Sequence, residues 1–122
     1  MNYNEKLIEY FKNPQHTGEI KNPSGVGIEG NLNCGDEMKI FIKVENDIIK
    51  EIKFKTFGCV AAIASSEALC RVVEGKTVEE ALKIEDKDVI SHLGDVPAIK
   101  HHCSILGVKA LRKAIEDYRN KK

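Results

Sequence analysis

The alternation of apolar and polar residues predicts two adjacent antiparallel strands in the first half of the chain. In residues 37–44 apolar side chains alternate with lysines, and residues 48–57 repeat the pattern. The second segment places Ile48, Ile52 and Phe54 on one face. Glu45-Asn46-Asp47 between them has turn chemistry, so the pair predicts a β-hairpin. We expect a third antiparallel strand over residues 26–31, because two strands alone are marginally stable.

Helical periodicity dominates the rest of the chain. The predicted helices are residues 2–11, 59–73, 77–82, 86–93 and 104–119. Asn13-Pro14 ends the first helix and Gly75 ends the second, while Thr77 and Glu80 form a capping-box pattern at the start of the third. Strands first and helices later predict an α+β fold, in which helices pack on one face of a three-stranded antiparallel sheet.

Composition limits the classes of protein that the chain can represent. With 122 residues, 42% hydrophobic and 31% charged, we expect one globular domain spanning residues 1–122. Lys plus Arg and Asp plus Glu number 19 each, so the zero net charge gives no reason to expect nucleic acid or a membrane as partner. The N-terminal residues lack an apolar signal-peptide core, and we expect a soluble, cytoplasmic protein.

The four cysteines are well separated in the sequence. Cys34, Cys59, Cys70 and Cys103 form no C-x-x-C pair, and in the cytoplasm we expect them to be reduced. Cys70 falls among apolar residues of the second helix, which favours a small core side chain over a ligand.

Three cysteines fall next to predicted loops or helix starts. Cys34 and Asp36 flank Gly35, a spacing that lets a thiolate and a carboxylate reach one metal ion, although a simple turn explains it equally well. Cys59 begins a helix, where the macrodipole favours the thiolate. A buried core cysteine is the competing interpretation there.

A third motif, His101-His102-Cys103-Ser104, is expected just before the last helix. Cys103 gains the same electrostatic advantage as Cys59, and neutral His102 suits iron or zinc. His101 ranks below His102 as a ligand. His16 and His92 have no thiol beside them, and we expect both in loops or at the surface.

Three thiolates with one oxygen or nitrogen ligand suit either Zn²⁺ or an iron–sulfur cluster with incomplete cysteine ligation. A permanent electron-transfer cluster normally has four protein ligands of the Cys₄ or Cys₂His₂ type. A three-cysteine site is expected to hold its cluster less tightly, which suits a carrier.

At these residues the chain resembles the IscU-type iron–sulfur cluster scaffolds, also seen as the N-terminal domain of NifU. The matching stretches are residues 34–39, 54–59 with 62–66, and 102–104. Three motifs in the family's order, each with a cysteine, make the resemblance specific, and it runs from about Tyr3 to Lys121.

The resemblance implies an assembly scaffold and not an enzyme. Such scaffolds receive persulfide sulfur from a cysteine desulfurase of the IscS or NifS type, combine it with iron into a [2Fe–2S] cluster, and pass the cluster to apo iron–sulfur acceptor proteins. Zn²⁺ often occupies the same site when no cluster is present. By position the site residues are Cys34, Asp36, Cys59, His102 and Cys103, with Cys103 the main persulfide acceptor.

Several points stay open at this level. The cluster is either held within one chain or shared in a homodimer, and Asp36, His102 or an outside group completes its coordination. Family members served by a dedicated DnaK-type chaperone carry Leu-Pro-Pro-Val-Lys before the His-Cys pair. Here residues 96–100 keep only Pro97 and Lys100, so the resemblance leaves that partner in doubt.

Two competing hypotheses use the same residues differently. A zinc-binding structural or regulatory module would hold Zn²⁺ tightly and unfold on chelation. A thiol enzyme would use Cys103 with His102 as base, but this leaves Cys34 and Cys59 without a role.

Overall fold

The structure is a computed structural model, and it describes residues 5–31, 36–94 and 101–121; for Asn31 and residues 101–104 it describes the backbone alone. The strands are β1 Gly25–Asn31, β2 Asp36–Glu45 and β3 Ile48–Phe57. The helices are α1 Glu5–Lys12, α2 Val60–Val73, α3 Val78–Leu82, α4 Asp86–Leu93 and α5 His101–Lys121. No helix in these ranges is long and apolar enough to cross a membrane.

The three strands form one antiparallel sheet in the order β1-β2-β3, which confirms the predicted hairpin and third strand. Asn46 and Asp47 occupy the turn with φ of 52° and 64°. Two positive φ angles suit the right-handed twist of a hairpin, and Asn and Asp tolerate them better than most residues.

The strand alternation changes phase near the hairpin turn. Lys43 pairs with Glu51, but Val44 pairs with Ile49, so Lys50 is an extra residue in β3. This bulge reverses the side-chain alternation beyond it. Ile49 is therefore fully buried while Ile48 is partly exposed, and the prediction that Ile48 shares a face with Ile52 was wrong.

Helices pack on the sheet face that carries the buried Met38, Ile40 and Ile42. A methyl group on Gly25 or Gly27 would overlap the carbonyl oxygens of Ala114 and Ala110 of α5. The two glycines of β1 thus let this helix lie directly on the strand. α2 packs against β3 and α5, and the predicted α+β class is confirmed.

Most helix boundaries follow the sequence signals. α1 ends just before Asn13-Pro14, and Thr77 and Glu80 form the predicted capping box. The last helix is the exception, because α5 begins at His101, three residues before the predicted start. Residues other than proline and glycine differ in helix propensity by less than about 0.7 kcal/mol, so the propensities of residues 101–104 did not indicate where α5 begins.

Candidate functional site

One edge of the sheet gathers the ends of all three strands. β2 begins at Asp36, which pairs with Asn31 at the end of β1, and the next residue, Glu37, pairs with Phe57 at the end of β3. The chain then passes through Gly58 and Cys59 into α2. Asp36 and Cys59 are therefore brought to the same edge.

Cys59 occupies the N-cap position of α2 with an extended backbone, φ −82° and ψ 178°. Its side chain makes no capping hydrogen bond and is half-buried. The first turn of α2 contains no acidic residue. Because Cys59 is the N-cap, it lies at the positive end of the α2 dipole, as the sequence predicted.

Gly58 sets the distance between Asp36 and the junction. A methyl group at this position would overlap Asp36 Oδ1 and would lie 2.9 Å from Ala62 Cβ. The Asp36 carboxylate thus lies directly against the residue that precedes Cys59, and only glycine leaves room for it.

The start of α5 lies at the same edge of the sheet. Tyr118 and Ala114 lie over Gly25, while Ala110 lies over Gly27, so α5 runs antiparallel to β1 and its first turn extends toward Asn31. Nearer the N-terminus of α5, a methyl group on Gly107 would lie 3.3 Å from Leu69 Cδ2 and 3.6 Å from Met38 Sδ. The N-terminal part of α5 therefore packs on α2 and β2.

This geometry corrects one prediction about the third motif. His101, His102 and Cys103 lie within the first turn of α5 and not in a loop before it. Their side chains lie outside the described part of the structure, as do Cys34 and residues 96–100. Among the described residues, no group of three His, Cys, Asp or Glu side chains is arranged to hold a metal ion.

Cys70 lies in the core, as predicted. It is fully buried in α2, and burial raises the pKa of its thiol well above the usual range, with Glu67 and Glu74 adding to the effect. A neutral, inaccessible thiol makes a poor metal ligand.

Sequence reasoning missed a buried charged cluster beside α2. His16 lies in a loop, as expected, but it is only 8% exposed, and its Nδ1 lies 2.7 Å from Glu67 Oε2. The other Glu67 oxygen accepts backbone hydrogen bonds from Gln15 and His16 at 2.8 and 2.9 Å. Arg71 Nε completes the set at 2.7 Å from Glu67 Oε2.

Glu67 stays ionised despite its burial. Burial opposes the charged form, but the hydrogen bonds from Arg71 and His16 outweigh it and lower the pKa of Glu67. A lone glutamate in the apolar sequence of α2 was the available signal, because a fully buried carboxylate needs partners.

His92 lies on α4, half-buried, and not in a loop. Its Nε2 is 2.9 Å from the hydroxyl of Tyr10, and the Arg71 guanidinium lies 4.1 Å from the centre of the Tyr10 ring. Burial, with the nearby charges of Lys6 and Arg71, lowers the pKa of His92 and favours the neutral imidazole. The contacts connect α1 to α2 and α4.

Known proteins resemble this chain in both sequence and fold. The family model described as NifU-like N terminal domain matches residues 2–122. The iron–sulfur cluster assembly scaffold protein IscU 1 of Archaeoglobus fulgidus is 50% identical over 116 residues, covering 95% of this chain and 76% of that protein. IscU of Aquifex aeolicus is 47% identical over 118 residues, covering 95% and 75%.

Solved structures agree with these sequence matches. A crystal structure of a candidate iron–sulfur cluster assembly scaffold for the SUF system, from Fervidobacterium islandicum AW-1, superposes with a TM-score of 0.76 at 27% identity, over 93% of this chain and 96% of that one. The N-terminal NifU-like protein of Brucella abortus gives 0.77 at 20% identity, over 98% and 95%, and shares the fold. The chain therefore belongs to the family of NifU-like N-terminal domains, together with the IscU-type iron–sulfur cluster assembly scaffolds.

Proposed function

We propose that this chain is a scaffold on which a [2Fe–2S] cluster is assembled from iron and persulfide sulfur before its transfer to apo-proteins. The observation that carries the proposal is the contact between the Asp36 carboxylate and the Gly58-Cys59 junction, at the sheet edge where α5 begins. Membership of a family whose relatives are named as cluster assembly scaffolds gives that edge its chemical meaning.

The proposed ligand set is Cys34, Asp36, Cys59, His102 and Cys103. Cys34 is joined to Asp36 through Gly35 alone, and two residues of chain span at most about 7 Å. This short connection supports Cys34 as a proposed ligand together with Asp36.

Cys103 fits the same edge by its position along α5. Asn31 lies four positions after Gly27, about 13 Å along β1, and Cys103 lies seven positions before Ala110, about 10 Å along α5. Because Ala110 lies over Gly27, the first turn of α5 comes close to the level of the Asn31–Asp36 pair. This supports Cys103 as a ligand and His102 as its neighbour in the site.

The proposed sulfur chemistry starts with transfer from the desulfurase. The Cys103 thiolate attacks the terminal sulfur of the desulfurase persulfide, a new S–S bond forms on Cys103, and the desulfurase cysteine leaves as thiolate. Two electrons from an external reductant then break that bond and give sulfide and the Cys103 thiolate. Iron and this sulfide are the substrates, and the other proposed ligands, Cys34, Asp36, Cys59 and His102, would bind them with Cys103.

Asp36 is proposed to keep the cluster releasable. A carboxylate is a harder ligand than a thiolate and suits iron in a cluster less well than a fourth cysteine would. The weaker ligation favours transfer to acceptor apo-proteins over permanent storage.

The zinc-module hypothesis uses the same ligands but is not favoured, because similar proteins are named as cluster assembly scaffolds. Zn²⁺ is proposed only as an occupant when no cluster is present. The relatives' names likewise describe a scaffold and not an enzyme, so Cys103 acts as a sulfur acceptor and not as a hydrolytic nucleophile.

The remaining parts of the proposal concern context. We propose one scaffold domain over residues 1–122, a cytoplasmic location, and a cysteine desulfurase of the IscS or NifS type as sulfur donor. The family match over residues 2–122 supports the domain assignment. A cluster shared between two chains of a homodimer and one held within a single chain are both compatible with the proposed ligands.

Metal and acid-labile sulfide analysis after anaerobic purification tests the proposal. A scaffold should contain iron and sulfide in equal amounts and should lose both to an apo-ferredoxin. Stoichiometric zinc that survives incubation with iron, cysteine and desulfurase, with unfolding on chelation, would support the zinc module instead.

A further inference from the structure

Two hydroxyl groups join the end of β3 to the start of α2. Thr56 Oγ1 lies 2.7 Å from Ser66 Oγ, and Ser66 Oγ donates to the carbonyl oxygen of Ala62 at 2.9 Å. Because the Ser66 proton is used on Ala62, Thr56 is the donor of the first bond. Ser66 is fully buried, so its bond to Ala62 is shielded from water, whereas the bond from Thr56 is partly buried.

The two bonds join the segments before and after Cys59. Thr56 lies three residues before Cys59 and Ala62 three residues after it, so the bonds through Ser66 connect the two flanks of the cysteine. Cys59 itself makes no capping bond, and Gly58 has no side chain to hold it. Ala62 also borders Gly58, whose space Asp36 shares. The two hydroxyls therefore connect the segments on either side of Cys59, next to the Gly58–Asp36 contact.

We propose that Thr56 and Ser66 are positioning residues for Cys59, which they hold in the geometry needed to ligate the cluster. This inference rests on the proposed function, in which Cys59 is a ligand. Residues that hydrogen-bond behind metal ligands typically change metal affinity by about 10-fold to 100-fold when removed. Thr56 and Ser66 act one step further back, through the backbone on either side of the ligand.

The test compares two substitutions of one residue. Thr56→Val keeps the shape of the side chain and removes the hydroxyl, whereas Thr56→Ser keeps the hydroxyl and removes a methyl group. Ser24→Ala is the matched control, because Ser24 Oγ accepts a hydrogen bond of 2.9 Å from the Val44 amide. Val44 lies about 26 Å along β2 from Asp36, far from the site.

Three measurements separate positioning from stability: the melting temperature of the apo-protein, the visible circular dichroism of the reconstituted cluster, and the rate of cluster loss to a chelator. We expect Thr56→Val to lose its cluster on the order of tenfold faster and to change the dichroism. Thr56→Ser should resemble the wild type. Ser24→Ala should lower the melting temperature without changing the cluster.

Co²⁺ titration of the apo-protein supplies a readout that does not need a cluster. Weaker Co²⁺ binding and shifted visible bands in Thr56→Val, but not in Thr56→Ser, would support positioning even if the wild type failed to assemble a cluster, an outcome that would remove only the scaffold proposal. Wild-type dichroism, cluster lifetime and Co²⁺ affinity in Thr56→Val would overturn the inference. A wild type that bound neither cluster nor Co²⁺ would overturn both.

Discussion

His16 Nδ1 and Glu67 Oε2 lie 2.7 Å apart, although the residues are 51 positions apart in the chain and both are buried. The second ring nitrogen of His16 lies 3.3 Å from Oε1 of Glu74, which is the C-cap of α2, about two turns after Glu67. The backbone around His16 also pairs with Phe54 of β3, through Phe54 N to His16 O at 2.8 Å and Gly18 N to Phe54 O at 3.0 Å. The side-chain contact and the two backbone bonds together fix the loop after α1 to both α2 and β3.

Glu67→Gln should destabilise the protein strongly. The amide cannot accept from Arg71, His16 and two backbone amides as an ionised carboxylate does, and breaking a buried ion pair typically costs about 3–5 kcal/mol. Urea denaturation measures the change in the free energy of unfolding. Glu79→Gln is the control, because it removes an exposed pair with Arg119 and should cost less than about 1 kcal/mol. Equal losses in the two variants would contradict the role of burial.

The same carboxylate predicts a loss of stability in acid. The pKa of Glu67 is lowered in the folded protein, so the unfolded chain takes up its proton first as the pH falls. This contribution is fully present above the ordinary glutamate range, near pH 4.3, and disappears as the pH drops through the lower, folded value. Melting temperatures between pH 3 and 7 should therefore fall more steeply for the wild type than for Glu67→Gln. Parallel curves would show that Glu67 has no part in the acid transition.

Gly58→Ala should damage the site more than the fold. The added methyl group would overlap Asp36 Oδ1 and press on Ala62 Cβ, so the carboxylate must move away from the Cys59 junction. Reconstitution of the cluster should fail or give a short-lived product. Gly75→Ala is the comparison, because Gly75 has φ +88° and open space around it. That change should cost about 1 kcal/mol of stability and leave the cluster intact.

Asp36→Ala should slow release of the cluster. If the carboxylate is the labile ligand, its removal leaves a site that gives up the cluster to an acceptor less readily. Transfer to an apo-ferredoxin, followed by visible circular dichroism, measures this rate. Glu37→Ala removes a neighbouring carboxylate on the other face of β2 and should transfer at the wild-type rate. Unchanged or faster transfer in Asp36→Ala would count against this role.

Local patterns predicted the parts of the fold that local physics decides. The alternation of β2, the turn at Asn46-Asp47 and the Thr77–Glu80 capping box all depend on residues a few positions apart, and each is present. The bulge at Lys50 depends on the pairing of β3 with β2, and α5 begins at His101, earlier than its sequence pattern indicated. No periodicity or propensity within those segments specified them.

The site divides in the same way. The change of pattern at Gly58 correctly predicted Cys59 at the start of α2, but the approach of Asp36 to Gly58 needed the register of β2 and β3. The pairing of His16 with Glu67 joins a loop to a helix 51 residues later, and sequence alone marked only one half of it, the isolated glutamate.

Anaerobic reconstitution tests the central claim most directly. The protein is incubated with Fe²⁺, cysteine, a reductant and a cysteine desulfurase, and its visible spectrum is recorded for the wild type, Cys59→Ala and Cys70→Ala. We predict a [2Fe–2S] chromophore in the wild type and in Cys70→Ala, whose thiol lies in the core, and its loss in Cys59→Ala. A colourless wild-type protein, or a chromophore that survives Cys59→Ala unchanged, would contradict the assignment.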